Sequence, residues 1–366
     1  MGVALGESLA GYLLYLALPL IRRYPHILAL YPILAAARGN IYSSLASRIT
    51  SRLHLGLLEG GVRRLYAREA ARVLVLSVLS SLYSATVAYL AIILGLGEGA
   101  RVNPLEVYAT ATLTPLIMAA PMTGVATGLA MLGFSHGLDP DEYLSPILTV
   151  TVDIVTLPVV TAAAVIAAAA PLAAVIPLGV AVSLYTLVLD ERDRRVVAEN
   201  LASIVTGSSV EFLRSYALMY ALHFLEQHPL VLSLMPVFNA ENGAAIAAAA
   251  SRLSTLLHLG LNPPSLSAEV LESLAVLQPS YLLSAALLAA ATRGGQWLAG
   301  YTLLAAAGLT LIPPLLLATR VLGEKLYEKG FDPDNTLIPI MTTLTDIAGT
   351  LTLLAVSMNL SSLLGL

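Results

Sequence analysis

The chain has 366 residues, of which 57% are apolar and only 11% carry charge, and its mean hydropathy is +0.82. About a quarter of the residues in soluble domains are charged, so this chain has too little polar surface to cover a soluble core. The net charge of −4 offers no basic surface for nucleic acid, and the lack of cysteine excludes disulfides and thiolate metal sites. Long apolar runs instead predict an all-α polytopic membrane protein.

Eleven apolar runs divide the chain, and each is close to the length that a transmembrane helix needs. They cover residues 5–21, 27–47, 71–95, 104–132, 143–168, 172–189, 200–225, 230–251, 270–291, 296–320 and 336–363. Most Lys and Arg residues fall in one set of the intervening loops, which predicts a cytoplasmic N-terminus and a C-terminus outside the cell. We therefore expect a multi-pass protein of the cell (plasma) membrane, embedded in lipid.

The chain contains an internal repeat. Residues 7–56 align without a gap with residues 211–260, and residues 137–153 align with residues 330–346. The alignment predicts two five-helix repeats, 1–170 and 196–366, joined by residues 171–195 with one additional helix and a cytoplasmic loop. That helix, 172–189, restores the direction of the second copy, so the repeats should run parallel about a pseudo-twofold axis along the membrane normal. We expect it to be peripheral, and we expect a monomer to suffice because the chain is a pseudo-dimer.

Asp153 and Asp346 occupy equivalent positions of the two repeats, inside apolar spans. A carboxylate at that depth costs several kcal/mol unless a cation, a proton or water accompanies it. Two such groups facing each other across a twofold axis would repel unless a cation lay between them, and Mg²⁺ prefers oxygen ligands and retains water. Thr149 and Thr342, one turn earlier on the same helix faces, could add oxygens. The alternative is a structural ion pair of each Asp with a nearby Arg.

A second element surrounds a glycine in mid-span, as RGNIYSSLASR (38–48) in the first repeat and NGAAIAAAASR (242–252) in the second. Glycine beside polar residues predicts a broken helix that lines a cavity. Asn40 would then offer an amide oxygen in the first copy, and Asn239 or Glu241 an oxygen in the second. The alternative is close helix packing through small residues.

The remaining polar motifs favour structural roles. The tripeptides DPD place Asp139, Asp141, Asp332 and Asp334 at predicted helix starts, where Asp caps a helix; collection of cations at an inner mouth is the alternative. Arg214 follows Glu211 by three residues, which predicts an ion pair between them. The chain has no HExxH, GxSxG or P-loop pattern, so we do not expect an enzyme.

These motifs resemble the membrane domain of the MgtE family and its relatives in solute carrier family 41, which are magnesium channels and transporters. The resemblance is carried by DPDEYLSPILTVTVD (139–153) and DPDNTLIPIMTTLTD (332–346), together with RGNIYSSLASR (38–48), and it covers nearly the whole chain. It implies that Asp153 and Asp346 are central ion-coordinating carboxylates. Bacterial MgtE proteins dimerise five-helix domains and carry cytoplasmic magnesium sensors. Too few residues precede Glu7 for such a sensor, so we expect none here.

The combined prediction is transport of a divalent cation, with Mg²⁺ as the transported ion and Mn²⁺ as its surrogate, through a central pore on the pseudo-twofold axis. A channel and a Na⁺- or H⁺-coupled exchanger both fit the sequence. A membrane receptor or assembly protein that transports nothing is a remote alternative.

Overall fold

The computed structural model of the chain describes residues 2–55, 61–97, 102–292 and 296–364, and every regular element in these ranges is helical. The α-helices are α1 Gly2–Arg23, α2 His26–His54, α3 Gly61–Leu96, α4 Pro104–Ser135, α5 Pro140–Ala169, α6 Val175–Leu187, α7 Glu191–Val210, α8 Phe212–Tyr220, α9 Leu222–Gln227, α10 Pro229–His258, α11 Leu266–Ala291, α12 Trp297–Glu328 and α13 Pro333–Leu364. A one-turn 3₁₀ helix, Pro171–Ala174, precedes α6. The predicted all-α class is confirmed.

Among the described residues, eight helices are long and apolar enough to cross a membrane: α1, α3, α4, α5, α10, α11, α12 and α13. The chain is therefore a polytopic membrane protein. The other three predicted spans correspond to α2, to the shorter apolar segment Pro171–Leu187, and to α7 with α8 and α9. The prediction of one helix over 200–225 was wrong, because α7 ends at Val210 and the helix is interrupted again at Ala221.

Glycine ends two of the long helices at equivalent positions of the repeats. Gly137 follows α4 with φ of 75°, and Gly330 follows α12 with φ of 80°. Left-handed backbone of this kind is unfavourable for residues with a Cβ, and glycine adopts it readily. Each glycine therefore stops its helix and turns the chain into the DPD tripeptide that precedes α5 or α13.

The chain forms two compact units, which we call the first unit (residues 19–220) and the second unit (residues 1–18 and 221–366). Their boundaries cut across the sequence repeats. Most of α1 belongs to the unit that contains α10 to α13, whereas α8 belongs to the unit that contains α2 to α7. The opening helix of each repeat thus packs with the later helices of the other repeat.

In each unit, an equivalent contact joins the opening helix of one repeat to the second helix of the other repeat. In the first unit, the Ser215 hydroxyl donates a 2.8 Å hydrogen bond to the carbonyl oxygen of Ala29. In the second unit, Gly11 lies so close to the carbonyl of Ser233 that a Cβ at this position would clash with it. Gly11 aligns with Ser215 and Ala29 aligns with Ser233, so the repeats use the same contact point.

The ends of the second and fourth helices of each repeat show another equivalent pair of contacts. The ring of His54 lies edge-on to Phe134, with centroids 5.7 Å apart, and the ring of His258 lies edge-on to Tyr327 at 5.4 Å. Both pairs join the end of the second helix of a repeat to the end of the fourth. Each unit therefore keeps the packing of one repeat at this end.

The additional helix lies on the outside of the first unit, as expected. In α6 only Pro177 and Ala181 are buried, and Leu187 is 84% exposed. A helix that is apolar yet exposed on most of its surface suits contact with lipid.

Candidate ion-binding residues

The two central acids lie in equivalent helices, one in each unit. Asp153 is half-buried in α5 of the first unit, and Asp346 is half-buried in α13 of the second. Thr149 is exposed and Thr342 is half-buried, each one turn before its acid. The Thr342 hydroxyl lies 3.1 Å from the carbonyl oxygens of Ile338 and Pro339, to which it donates. Its oxygen lone pairs are not used by that bond and could accept from water or contact a cation.

Asn239 is hydrogen-bonded to the helix turn that follows Asp346. The amide of this buried residue donates to the hydroxyl of Thr350 at 2.8 Å, and that hydroxyl in turn donates to the carbonyl oxygen of Asp346 at 3.0 Å. Because the hydroxyl proton is already used, Thr350 must accept from the Asn239 NH₂ group, which fixes the orientation of the amide. The chain of two bonds links α10 to the backbone at Asp346.

The absence of a side chain at Gly349 makes this contact possible. A Cβ at position 349 would lie 2.5 Å from the Oδ1 atom of Asn239, well inside van der Waals contact. Gly349 is buried, so α10 and α13 meet here with no space for a larger residue. Sequence reasoning missed both Thr350 and Gly349, although a threonine one turn after an intramembrane acid was a signal that could have been used.

The other predicted ligands lie on α2 and α10. Glu241 is half-buried on α10, two residues after Asn239. Asn40 is exposed on α2 and faces α7 of the same unit, where a Cβ at Gly207 would lie 3.6 Å from the Asn40 Nδ2 atom. The structure thus connects Asn239 to the helix of Asp346, whereas Asn40 lies beside α7.

The predicted helix break around Gly39 and Gly243 is wrong. Both α2 and α10 are continuous through these positions, so backbone hydrogen bonding is kept, as a membrane interior favours. The alternative of close packing is also not supported, because a Cβ at either glycine would meet nothing within 4 Å among the described residues. Asn242, beside Gly243, satisfies its amide by donating to the Phe238 carbonyl at 2.6 Å and accepting from Tyr281 at 2.8 Å.

The two Arg residues inside predicted spans differ in their contacts. Arg214 forms the predicted i,i+3 ion pair with Glu211 at 3.7 Å. Arg38 is 3% exposed, and both terminal nitrogens of its guanidinium are buried without a hydrogen bond to any described residue. An ion pair of this guanidinium with Asp153 is therefore not present.

The DPD tripeptides lie where caps were predicted. Asp139 directly precedes α5 and Asp332 directly precedes α13, each followed by Pro at the first helical position. Both residues are exposed, and Oδ1 of Asp139 lies 3.1 Å from Nε2 of His54 at the end of α2. The side chains of Asp141 and Asp334 lie outside the described residues.

An equivalent ion pair joins the second and third helices of each repeat. Arg48 contacts Glu69 at 3.1 Å in the first unit, and Arg252 contacts Glu272 at 2.9 Å in the second. The burial of the two pairs differs strongly: the Glu69 side chain is fully buried, whereas that of Glu272 is 54% exposed. The same sequence element, Ala-Ser-Arg, therefore makes a core contact in one unit and a surface contact in the other.

A larger network surrounds the buried pair and attaches α7. Arg72 bonds both Glu69 and the buried Asp193, and Arg68 donates to Asp193 at 2.9 Å. Asp190 and Asp193 form a capping box at the start of α7. The pKa of the Asp190 carboxyl lies below its usual value because it accepts a hydrogen bond from the Asp193 backbone and lies beside Arg68.

Within the described ranges, no three His, Asp or Glu side chains are grouped so that they could hold a metal ion together. The candidate ligands are instead one acid in each unit, with threonine and amide oxygens on the same or adjacent helices.

Comparison with known proteins assigns the family. The model of the MgtE family, described as divalent cation transporter, matches residues 31–163 and 235–356, which together make up more than half of the chain. This chain belongs to the MgtE family. The two matches start 204 residues apart and end 193 residues apart, which are the offsets of the two aligned parts of the internal repeat. Each match contains one of the central acids.

Three vertebrate proteins are also similar to this chain in sequence. The chain is 24% identical to solute carrier family 41 member 2 of Gallus gallus over 93% of this chain and 65% of the relative. It is 24% identical to the Xenopus laevis protein of that name and 23% identical to the human one, with similar coverage. The chain therefore spans just under two thirds of the length of these relatives. No solved structure matches.

Proposed function

We propose that this MgtE-family chain transports a divalent cation, Mg²⁺, across the cell membrane, and that Asp153 and Asp346 compensate the charge of the ion. The proposal rests on one observation. Each of the two family matches contains a half-buried aspartate in an apolar helix, at equivalent positions of the repeat. Two carboxylates inside a membrane cost free energy unless their negative charge is compensated. One divalent cation carries the positive charge that compensates both.

In the proposed mechanism the ion passes along the pseudo-twofold axis of the two repeats, and it keeps part of its water shell. Mg²⁺ dehydrates reluctantly, so two carboxylates with a few neutral oxygens suit it better than a complete protein cage. Thr149 and Thr342 supply neutral oxygens on the acid-bearing helices, and Asn239 holds the turn that follows Asp346. Mn²⁺ uses the same ligands and serves as a surrogate.

Flux into proteoliposomes tests the proposal. Purified protein is reconstituted with a Mg²⁺-sensitive dye inside the vesicles, and uptake is followed after external Mg²⁺ is added. Asp153→Asn and Asp346→Asn should each remove most of the uptake, because one carboxylate leaves half of the compensating charge in a weakly screened environment. Glu199→Gln is the matched control, since this acid lies in an exposed pair with Arg195. Uptake by both Asp variants at the level of the control would refute the proposal.

The same vesicles distinguish a channel from an exchanger. A K⁺ gradient with valinomycin sets the membrane potential while Na⁺ and H⁺ gradients are absent. Mg²⁺ uptake that follows the potential alone indicates a channel, and uptake that requires a Na⁺ or H⁺ gradient indicates exchange. A protein with intact fold and no uptake under any of these conditions would favour the receptor or assembly role.

A further inference from the structure

Helix α7 covers the second and third helices of the first unit. Asp193 of α7 forms ion pairs with Arg68 and Arg72 of α3. Val197 of α7 lies in one buried apolar cluster with Ile41 of α2. The ion pair that joins α2 to α3 is therefore shielded on this side, and its glutamate is fully buried.

The corresponding face of the second unit is open. Here α10 and α11 take the places of α2 and α3, and the side chains of the equivalent pair, Arg252 and Glu272, are 50% and 54% exposed. Val276, one turn after Glu272, is 67% exposed. These three residues and Ala245, which aligns with Ile41, line a groove between the two helices. The groove thus lies where α7 lies in the first unit.

A second helix of the same kind as α7 would not be held in this groove. When the glutamates of the two ion pairs are aligned, Arg68 and Arg72 correspond to Leu271 and Ala275. Leu271 is 71% exposed, and Ala275 is exposed as well. The acids that begin α7 would therefore meet apolar side chains in place of two arginines. An exposed apolar surface next to one charged pair is complementary to a phospholipid instead, which has acyl chains below a charged headgroup.

The groove has a polar end and an apolar end along the helices. Helix α10 has 30 residues and is about 45 Å long, whereas the hydrocarbon core of a bilayer is about 30 Å thick, so the ends of the helix reach the headgroup region. Arg252 and Glu272 lie within two turns of the end of α10 and of the start of α11. Ala245 lies about 10 Å deeper on α10, and Val276 lies about 6 Å deeper on α11. The charged pair is thus at the height of headgroups, and the apolar part of the groove is at the height of acyl chains.

The charged pair keeps free hydrogen-bonding capacity. Nη1 of Arg252 contacts both carboxylate oxygens of Glu272, at 3.0 and 2.9 Å. No other hydrogen bond of this guanidinium is present within the described residues, so its Nη2 and Nε atoms can still donate. Each carboxylate oxygen of Glu272 can accept a further hydrogen bond. The site therefore offers donors for one anionic group and, beside them, acceptors for one cationic group.

We propose that the groove between α10 and α11 binds one molecule of phosphatidylethanolamine, with its phosphate at Arg252 and its ammonium at Glu272. Both groups of this headgroup find the opposite charge in the exposed pair. The primary ammonium donates hydrogen bonds to a carboxylate, whereas the methylated ammonium of phosphatidylcholine has no N–H and phosphatidylglycerol has no cation. The acyl chains cover Ala245 and Val276, so that lipid replaces in the second unit the cover that α7 gives the first.

Native mass spectrometry of the delipidated protein in detergent tests the site. Phosphatidylethanolamine, phosphatidylcholine and phosphatidylglycerol with the same acyl chains are added in turn, and the Kd of the first bound lipid is measured. We expect phosphatidylethanolamine to bind about tenfold more tightly than either of the others, because it alone satisfies both members of the pair with charge-assisted hydrogen bonds. Equal affinity for the three lipids, or tighter binding of another one, would overturn the proposal.

Two variants locate the bound lipid. Glu272→Gln removes the acceptor for the ammonium at an exposed position and should abolish the preference for phosphatidylethanolamine over phosphatidylcholine. Ala248→Trp, at an exposed residue that lines the groove, should weaken the binding of phosphatidylethanolamine by blocking the groove. Glu199→Gln, at an exposed acid of α7, is the matched control for loss of charge and should keep the wild-type preference.

Thermal unfolding of each variant shows whether it is folded. If Ala248→Trp does not fold, Glu272→Gln alone decides. A preference that Glu272→Gln keeps, or wild-type affinity in a folded Ala248→Trp variant, would show that the lipid is held elsewhere and that the proposal is wrong.

Discussion

Asn239 donates a hydrogen bond to Thr350, whose own hydroxyl donates to the backbone carbonyl of Asp346. One polar residue of α10 is therefore connected, through a single hydroxyl, to the helix turn that carries a candidate ion ligand. We therefore propose that Asn239 acts as a positioning residue for the helix turn of Asp346.

Asn239→Ala and Thr350→Val should each lower Mg²⁺ uptake, by less than Asp346→Asn does, because they release the turn but keep the carboxylate. Residues that act through one hydrogen bond are not additive, so the double variant should resemble either single variant. Proteoliposome uptake with all four proteins measures this. Additive losses would show that the two residues act separately.

Gly349→Ala should destabilise the second unit by about 1–3 kcal/mol, because the new Cβ would lie 2.5 Å from the Asn239 side chain in a closed packing site. Gly179→Ala is its control, since a Cβ at that position in α6 meets nothing within 4 Å of the described atoms. Thermal unfolding in detergent compares the two. Equal Tm for both variants would show that α10 and α13 are not in close contact at this position.

Glu69→Gln should destabilise the protein by about 3–5 kcal/mol, because it leaves Arg48 without its carboxylate and removes one of the two buried carboxylates that Arg72 contacts. Glu272→Gln removes the equivalent acid from an exposed pair and should cost less than about 1 kcal/mol. The measurement is the difference between the free energies of unfolding of these two variants, obtained by denaturation of the purified proteins. A similar cost at both positions would contradict the difference in burial.

Asn40→Ala and Glu241→Gln should reduce Mg²⁺ uptake by unequal amounts, and each by less than either central Asp→Asn change. The reason is that the repeats differ here: Asn40 aligns with Ala244, and Glu241 aligns with Ala37. The initial rate of uptake at several Mg²⁺ concentrations gives the comparison. Equal, mild losses from these two variants and from both Asp variants would place the ion site elsewhere.

Several features of the site could be predicted because they depend on short stretches of sequence. The starts of α5 and α13 directly after Asp139 and Asp332, and the ion pair of Arg214 with Glu211, depend on residues close in the chain. The break at Gly39 was predicted wrongly from the same kind of pattern. A lone glycine does lower helix propensity, but a membrane-embedded backbone gains more by keeping its hydrogen bonds.

The helical membrane class, the two repeats and the equivalent acids Asp153 and Asp346 could be predicted without coordinates, since apolar runs and repeated motifs are properties of the linear chain. Which helices share a unit became clear only from three-dimensional contacts. The exchange of α1 and α8 between the repeats rests on contacts between residues more than 180 positions apart, as Ser215 with Ala29 shows. Likewise, identical Ala-Ser-Arg elements gave no sign that Glu69 is buried and Glu272 exposed, because burial depends on α7, which packs against α2 and α3 in the first unit.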